Sequence, residues 1–252
     1  MRKPDSTPFN NHPLSLIYFI NSKLAWEKNL IEHFQENTNV DFLLQCLINK
    51  SELLIASDGF KTRLNSGGGW IIATKDETML VRVSNPNFGQ IETMHSYRSE
   101  VYASLASQLF LKTYTEYFQI PINSKITSYC ENKAYVERLT KFISDSYLTR
   151  SLFKKTEQEA YRIILQLQTP QFQIIHVRGH QDDDKTFDML EIPAKLNIED
   201  DIVATTPINT HLLSAPFTIY INDRYTPYQF ERELRMYHFQ DKAKKFLMNK
   251  YD

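Results

Sequence analysis

The chain has 252 residues, 42% of them hydrophobic and 23% charged, with 29 basic side chains against 30 acidic ones. That length fits one or two domains, and that composition excludes a disordered, collagen-like or disulfide-stapled chain. Two cysteines, Cys46 and Cys130, cannot build a disulfide framework or a cysteine zinc site, and they fit a reducing compartment.

The near-neutral total hides a gradient. Residues 1–50 carry five basic and five acidic groups, residues 51–207 carry 17 and 20, and residues 208–252 carry seven and five. The middle is the acidic part, so the basic footprint of an ordinary nucleic-acid binder is missing, and a phosphate-rich partner needs cations to bridge it. The longest apolar run, Leu14 to Ile20, is shorter than the ~20 residues that span a bilayer. We therefore expect an intracellular protein with no membrane partner, with nothing to separate nucleus from cytoplasm.

In chain order, residues 1–21 hold Pro4, Pro8 and Pro13 and read as a loose lead-in. Leu24, Leu30, Ile31 and Phe34 predict a helix over 22–35, and a second follows over 39–49. The pattern then changes. Leu53 to Ser57 is an apolar run of strand length, closed by Asp58-Gly59. Gly69 to Thr74 and Met79 to Val83 follow it, and short turns between the three predict an antiparallel meander. Gly67-Gly68-Gly69 reads as the hairpin turn that feeds the second strand. Val101, Leu105 and Leu109, with Tyr102, Ala106 and Phe110 beside them, predict a long helix from Ser96 to Phe118. Lys125 to Cys130 is a fourth strand, 134–143 and 154–168 are helical, Phe172 to Val177 is a fifth strand, and a short helix spans about 198–205. Beyond it, Phe217 to Ile221 reads as a strand. Thr226-Pro227-Tyr228-Gln229 reads as the capped start of an amphipathic helix. The domain organisation is thus a helical lead-in over 1–50, an α/β domain over 51–207 and a strand-helix extension over 208–252. A meander followed by helix-linked strands predicts a mixed sheet with helices on its faces.

Only six glycines occur, well below the usual ~7% share, and all lie between Gly59 and Gly179. The acidic residues of interest fall in and beside that stretch. Asp58 ends the first strand, Glu100 lies in the first turn of the long helix, Glu131 follows the fourth strand and Asp201 begins the last short helix. Strand ends and helix starts in such a sheet converge on one edge, where ligand sites form. Carboxylates meeting there repel one another unless cations bind between them, and oxygen donors without cysteine select Mg²⁺ or Mn²⁺. The run Asp182-Asp183-Asp184 reads as a solvated loop. Trp26, Trp70 and Cys130 read as core.

Taken in order, Ser57-Asp58-Gly59, Gly69-Trp70, His95 to Glu100, Tyr129-Cys130-Glu131-Asn132-Lys133, Arg178-Gly179-His180-Gln181-Asp182 and Asn197 to Asp201 resemble type 1 ribonuclease H. The form they resemble is the one found at the C-terminal end of retrotransposon reverse transcriptases, and the match covers about residues 51–207. The resemblance implies a five-stranded mixed sheet with helices on both faces, the ribonuclease H-like fold. It implies two divalent ions, Mg²⁺ or Mn²⁺, and endonucleolytic hydrolysis of the RNA strand of RNA/DNA hybrids. It implies Asp58, Glu100, Glu131 and Asp201 as metal ligands and His180 as the histidine that assists proton transfer and product release. Its partners are an RNA/DNA hybrid and the rest of a reverse transcriptase polyprotein. Asn132 and Ser99 are candidate readers of the 2′-hydroxyls that mark RNA. Glu131 stands where the family pattern has aspartate, one methylene shorter. A catalytically weakened remnant that binds nucleic acid or a partner is the second reading.

Overall fold

The computed structural model describes residues 15–31, 39–63, 66–87, 95–144, 157–169, 171–183 and 185–205, all within one compact unit. Three short helices come first: α1 (Leu16–Asn21), α2 (Ala25–Ile31) and α3 (Val40–Ile48). The meander follows as β1 (Leu53–Lys61), β2 (Ser66–Thr74) and β3 (Met79–Pro86), then α4 (Ser96–Phe118), β4 (Ile126–Cys130) and α5 (Lys133–Ser144). The order closes with α6 (Gln158–Leu167), β5 (Phe172–His176), two 3-10 turns at Gln181–Asp183 and Phe187–Met189, and α7 (Ile192–Thr205). The expected tail strand and helix lie outside the described residues, as does the N-terminal part of the helix expected over 154–168.

The five strands form one mixed sheet in the order β3-β2-β1-β4-β5. β1, β2 and β3 pair antiparallel, while β1, β4 and β5 run parallel. The parallel crossovers pass through helices, as parallel pairing requires. Helix α4 packs on β1 and β2 from one face, and α7 packs on β1, β2 and β3 from the other. Strand alternation sorts the residues between them. Leu54 and Ala56, with Ala73 of β2, meet Leu196 of α7, whereas Trp70 turns to the α4 side and meets the Phe110 ring at 5.1 Å.

Helix α4 is buried along nearly its whole length because the sheet covers one side and α1, α2, α5 and α6 cover others. A helix buried on several faces needs small residues where neighbours come close, and Ala103, Ser104, Ala106 and Ser107 supply them. The N-terminal helices are fastened to this core: α2 and α3 pack on β3, and the Tyr114 hydroxyl donates to the Val40 carbonyl.

The sequence reading needs five corrections here. The stretch read as a loose lead-in over 1–21 holds α1 at Leu16–Asn21. Glu100 lies in the second turn of α4, not the first. The first strand does not close at Asp58-Gly59 but runs on to Lys61. Gly67, Gly68 and Gly69 are not a turn; they lie in β2, paired with Phe60, Gly59 and Asp58, with α4 pressed against Gly68 and α7 against Gly69. The last helix starts at Ile192, so Asp201 sits in its third turn rather than at its start. Pro193 in the first turn of α7 is tolerated because the backbone N–H it lacks has no helical partner there.

Candidate metal centre

β1 and β4 are parallel, so their carboxyl ends open at the same edge of the sheet. The register pairs Ala56 with Tyr129, which brings Glu131, just past β4, level with Asp58. On the neighbouring face the backbone of α4 touches β1. A Cβ on Gly59 would lie 2.2 Å from the Glu100 backbone nitrogen, so only glycine permits this crossing. The contact sets Glu100, in the second turn of α4, beside Asp58. Carboxylate oxygens of Asp58, Glu100 and Glu131 lie within 4.8 Å of one another, a spacing that could hold a metal ion.

The two inner carboxylates are deeply buried, Asp58 at 5% and Glu100 at 4% exposure. Burial, and then the charge of Glu131, push the Asp58 carboxyl up to about 6. Burial, and then the charge of Asp58, raise the Glu100 carboxyl well above the ordinary range. The Cys130 thiol donates to Glu100 Oε2 at 3.4 Å and is itself raised well above its ordinary value by burial, so it remains an uncharged donor.

Glu131 forms the outer wall. Its Oε2 accepts from Asn197 Nδ2 of α7 at 3.4 Å. A Cβ on Gly179 would lie 2.0 Å from the same oxygen, so the backbone after β5 leaves room for the longer side chain. Glu131, His180, Asp182, Asn197, Ile198 and Asp201 line an open cleft at this edge. His180 is exposed there, with φ 51° in the left-handed region that side chains rarely adopt. Asp201 is exposed too, and its charge bears on Asp58. The residues singled out from sequence therefore converge as an inner trio, Asp58, Glu100 and Glu131, and a rim of His180 and Asp201.

Two expected substrate readers fare differently. Asn132 is half-buried and caps α5, its side-chain oxygen accepting from the Tyr135 N–H at 3.1 Å. The Ser99 hydroxyl is fully buried and engaged with the Phe60 carbonyl at 3.0 Å, Ser66 Oγ at 3.0 Å and Asn87 Nδ2 at 2.7 Å. That burial does not suit a contact with nucleic acid: Ser99 ties α4 to the β1–β2 hairpin. Trp26, Trp70 and Cys130 are core, as expected.

Sequence reasoning missed two residues. Asp182 borders the cleft although its run of three reads as solvent-facing. Asp200, next to Asp201, is fully buried (0% exposure) on the sheet-facing side of α7. Its signal was present: Asp200 interrupts the apolar i, i+4 stripe from Leu196 to Ala204.

An all-oxygen donor set of crowded carboxylates, two of them buried, suits a hard divalent cation. Among the described residues no helix is long and apolar enough to cross a membrane.

No family model matches the sequence, and no curated protein does. Solved structures do match. LC11-RNase H1, crystallised in complex with an RNA/DNA hybrid, aligns at 13% identity and TM-score 0.42 over 60% of this chain and 92% of its own. The N-terminal ribonuclease H domain of a Mycobacterium tuberculosis protein, solved as a maltose-binding-protein fusion, aligns at 15% identity and TM-score 0.39, over 61% and 91%. RNase H1 from Halobacterium salinarum aligns at 16% identity and TM-score 0.36, over 60% and 99%. Identities this low concern only the arrangement of the chain, and here the strand order and register define that arrangement directly.

Proposed function

We propose that this domain is a retroelement-derived ribonuclease H that hydrolyses the RNA strand of RNA/DNA hybrids with two divalent cations. The convergence of Asp58, Glu100 and Glu131 within 4.8 Å carries the proposal, because three carboxylates so placed invite cations between them. The retroelement assignment draws on the order and spacing of the sequence motifs.

Asp58, Glu100, Glu131 and Asp201 would hold Mg²⁺ or Mn²⁺. Such ions activate an attacking water and stabilise the leaving oxygen of a phosphodiester. The protein supplies the rest. Asp58 and Glu100 sit on buried backbone fixed by the Gly59 contact, so the inner carboxylates are held in place. Asn197 donates to Glu131 and fixes the outer one. The His180 ring stands at the open rim, where an imidazole can take or give a proton as product leaves. Asn132, at the mouth between β4 and α5, is the remaining candidate for a ribose contact.

The extra methylene of Glu131 does not by itself favour the remnant reading, since its carboxylate reaches the cluster. A labelled strand, RNA in an RNA/DNA hybrid, RNA in duplex RNA and DNA in duplex DNA, each in Mg²⁺ or Mn²⁺, tests the proposal. Cleavage of the hybrid alone is expected. Preferential cleavage of duplex DNA would assign the fold to a different reaction.

A further inference from the structure

Helix α7 lies on the β1–β2–β3 face with a buried stripe of Leu196, Asp200, Val203 and Ala204. Leu196 packs on Leu54, Ala56 and Ala73. One turn past Asp200, Ala204 is pressed on Gly69, where a Cβ would meet its backbone nitrogen at 2.4 Å. Gly69 is the residue paired with Asp58. Asp200 is therefore held between these two anchors, over the stretch of β1 that leads from Ala56 to Asp58.

The other anchors of this face are apolar except Asn197, whose side chain donates to Glu131. Asp200 is 0% exposed, and neither carboxylate oxygen has a hydrogen-bond partner among the described residues. The charges that bear on it are, in falling order, Asp58, Glu100, Asp201 and Glu131, all of them members of the cation site. The nearby cations of α7 and β3 are engaged elsewhere: Arg82 pairs with Glu199 at 2.9 Å and Lys195 with Glu77 at 3.0 Å. A buried carboxylate that faces these like charges, with no donor among the described residues, is unfavourable as an ion unless a cation reaches its surroundings.

We propose that Asp200 is a fifth carboxylate of the cation centre, placed beneath Asp58, and that its charge increases the affinity of the protein for divalent ions. The proposal rests on the cation-binding reading of the Asp58 cluster. It assigns Asp200 a role distinct from that of Asp201, which faces the open cleft, and it accounts for an acidic residue at a core position of α7. Without a cation the same charge weakens the fold, so affinity and stability move in opposite directions when it is removed.

The test is titration of the purified protein with Mn²⁺ alone by calorimetry, together with thermal melting in chelator and in excess Mn²⁺. Wild type, Asp200→Asn and Asp58→Asn are compared. Asp200→Asn is expected to melt higher than wild type in chelator, to bind Mn²⁺ about tenfold more weakly and to gain less Tm from Mn²⁺. An unchanged Mn²⁺ affinity in Asp200→Asn, with binding lost in Asp58→Asn, overturns this inference and leaves the cation site standing. Absence of Mn²⁺ binding by wild type overturns both. If Asp200→Asn does not fold, Asp200→Ala takes its place, and the same shifts in affinity and Tm decide.

Discussion

The backbone of Glu100 lies against Gly59 so closely that a methyl group on Gly59 would sit 2.2 Å from the Glu100 nitrogen. This contact joins two faces of the sheet at one point. Asp58 projects toward α7, Gly59 toward α4, and the crossing of α4 over Gly59 brings Glu100 round to Asp58. The two nearest atoms that a side chain would strike are backbone, so neither element can yield locally.

Gly59→Ala is accordingly expected to destabilise the protein by about 1–3 kcal/mol or more through overpacking. It should also weaken Mn²⁺ binding, because relief requires α4 to move and Glu100 to move with it. Denaturant unfolding should show a lower midpoint at unchanged m, and calorimetry the loss of affinity.

Gly179→Ala should behave differently. The added methyl meets the Glu131 carboxylate, the free end of a side chain, rather than backbone. Glu131 can swing away and give up its Asn197 contact, so the stability change should be under 1 kcal/mol, while Mn²⁺ affinity falls about 10- to 100-fold, as for other changes that misplace a ligand. A Gly179→Ala protein that binds Mn²⁺ like wild type would show that Glu131 is not held as described.

The raised carboxyls give a pH dependence whose sign is fixed. Asp58 has an ordinary value of 3.8 and is pushed up to about 6, and Glu100 is raised as well. A group raised on folding binds its proton more tightly in the folded chain, so stability is greatest at low pH with respect to that group and falls as pH rises from about 4 through 6. For Asp58 the loss is on the order of 3 kcal/mol, complete above about pH 6. Melting in chelator should therefore give a higher Tm near pH 5 than near pH 7.5, after correction for other groups by the Asp58→Asn variant. The Tm gain from Mg²⁺ or Mn²⁺ should be larger at pH 7.5, where the carboxylates are ionised.

Much of this was legible in the sequence where local pattern and tertiary role agree. The i, i+4 repeat of Val101, Leu105 and Leu109 marks α4 with its observed bounds, and the apolar runs mark all five strands. Asp58, Glu100 and Glu131, read from strand ends and a helix start, lie together in the structure. Reading failed where glycine served packing rather than turning. Gly59, Gly68 and Gly69 signal turns by propensity, yet they lie in strands where α4 and α7 press on them, and no local signal reports a helix that arrives from elsewhere in the chain. Ser99 was misjudged because adjacency to a ligand in sequence says nothing of which way a side chain faces on a helix. Asp200 was overlooked because Asp201 fills the expected position, although its place in the apolar stripe of α7 distinguishes it.

The most direct measurement is cleavage of a 5′-labelled RNA annealed to DNA, in Mg²⁺ or Mn²⁺, by wild type and by Asp58→Asn. The account predicts metal-dependent internal cleavage by wild type, abolished by chelator and reduced at least about 100-fold in Asp58→Asn, which keeps the shape of the side chain and removes its charge. Equal cleavage by both proteins, or none by wild type while it binds Mn²⁺, would contradict it.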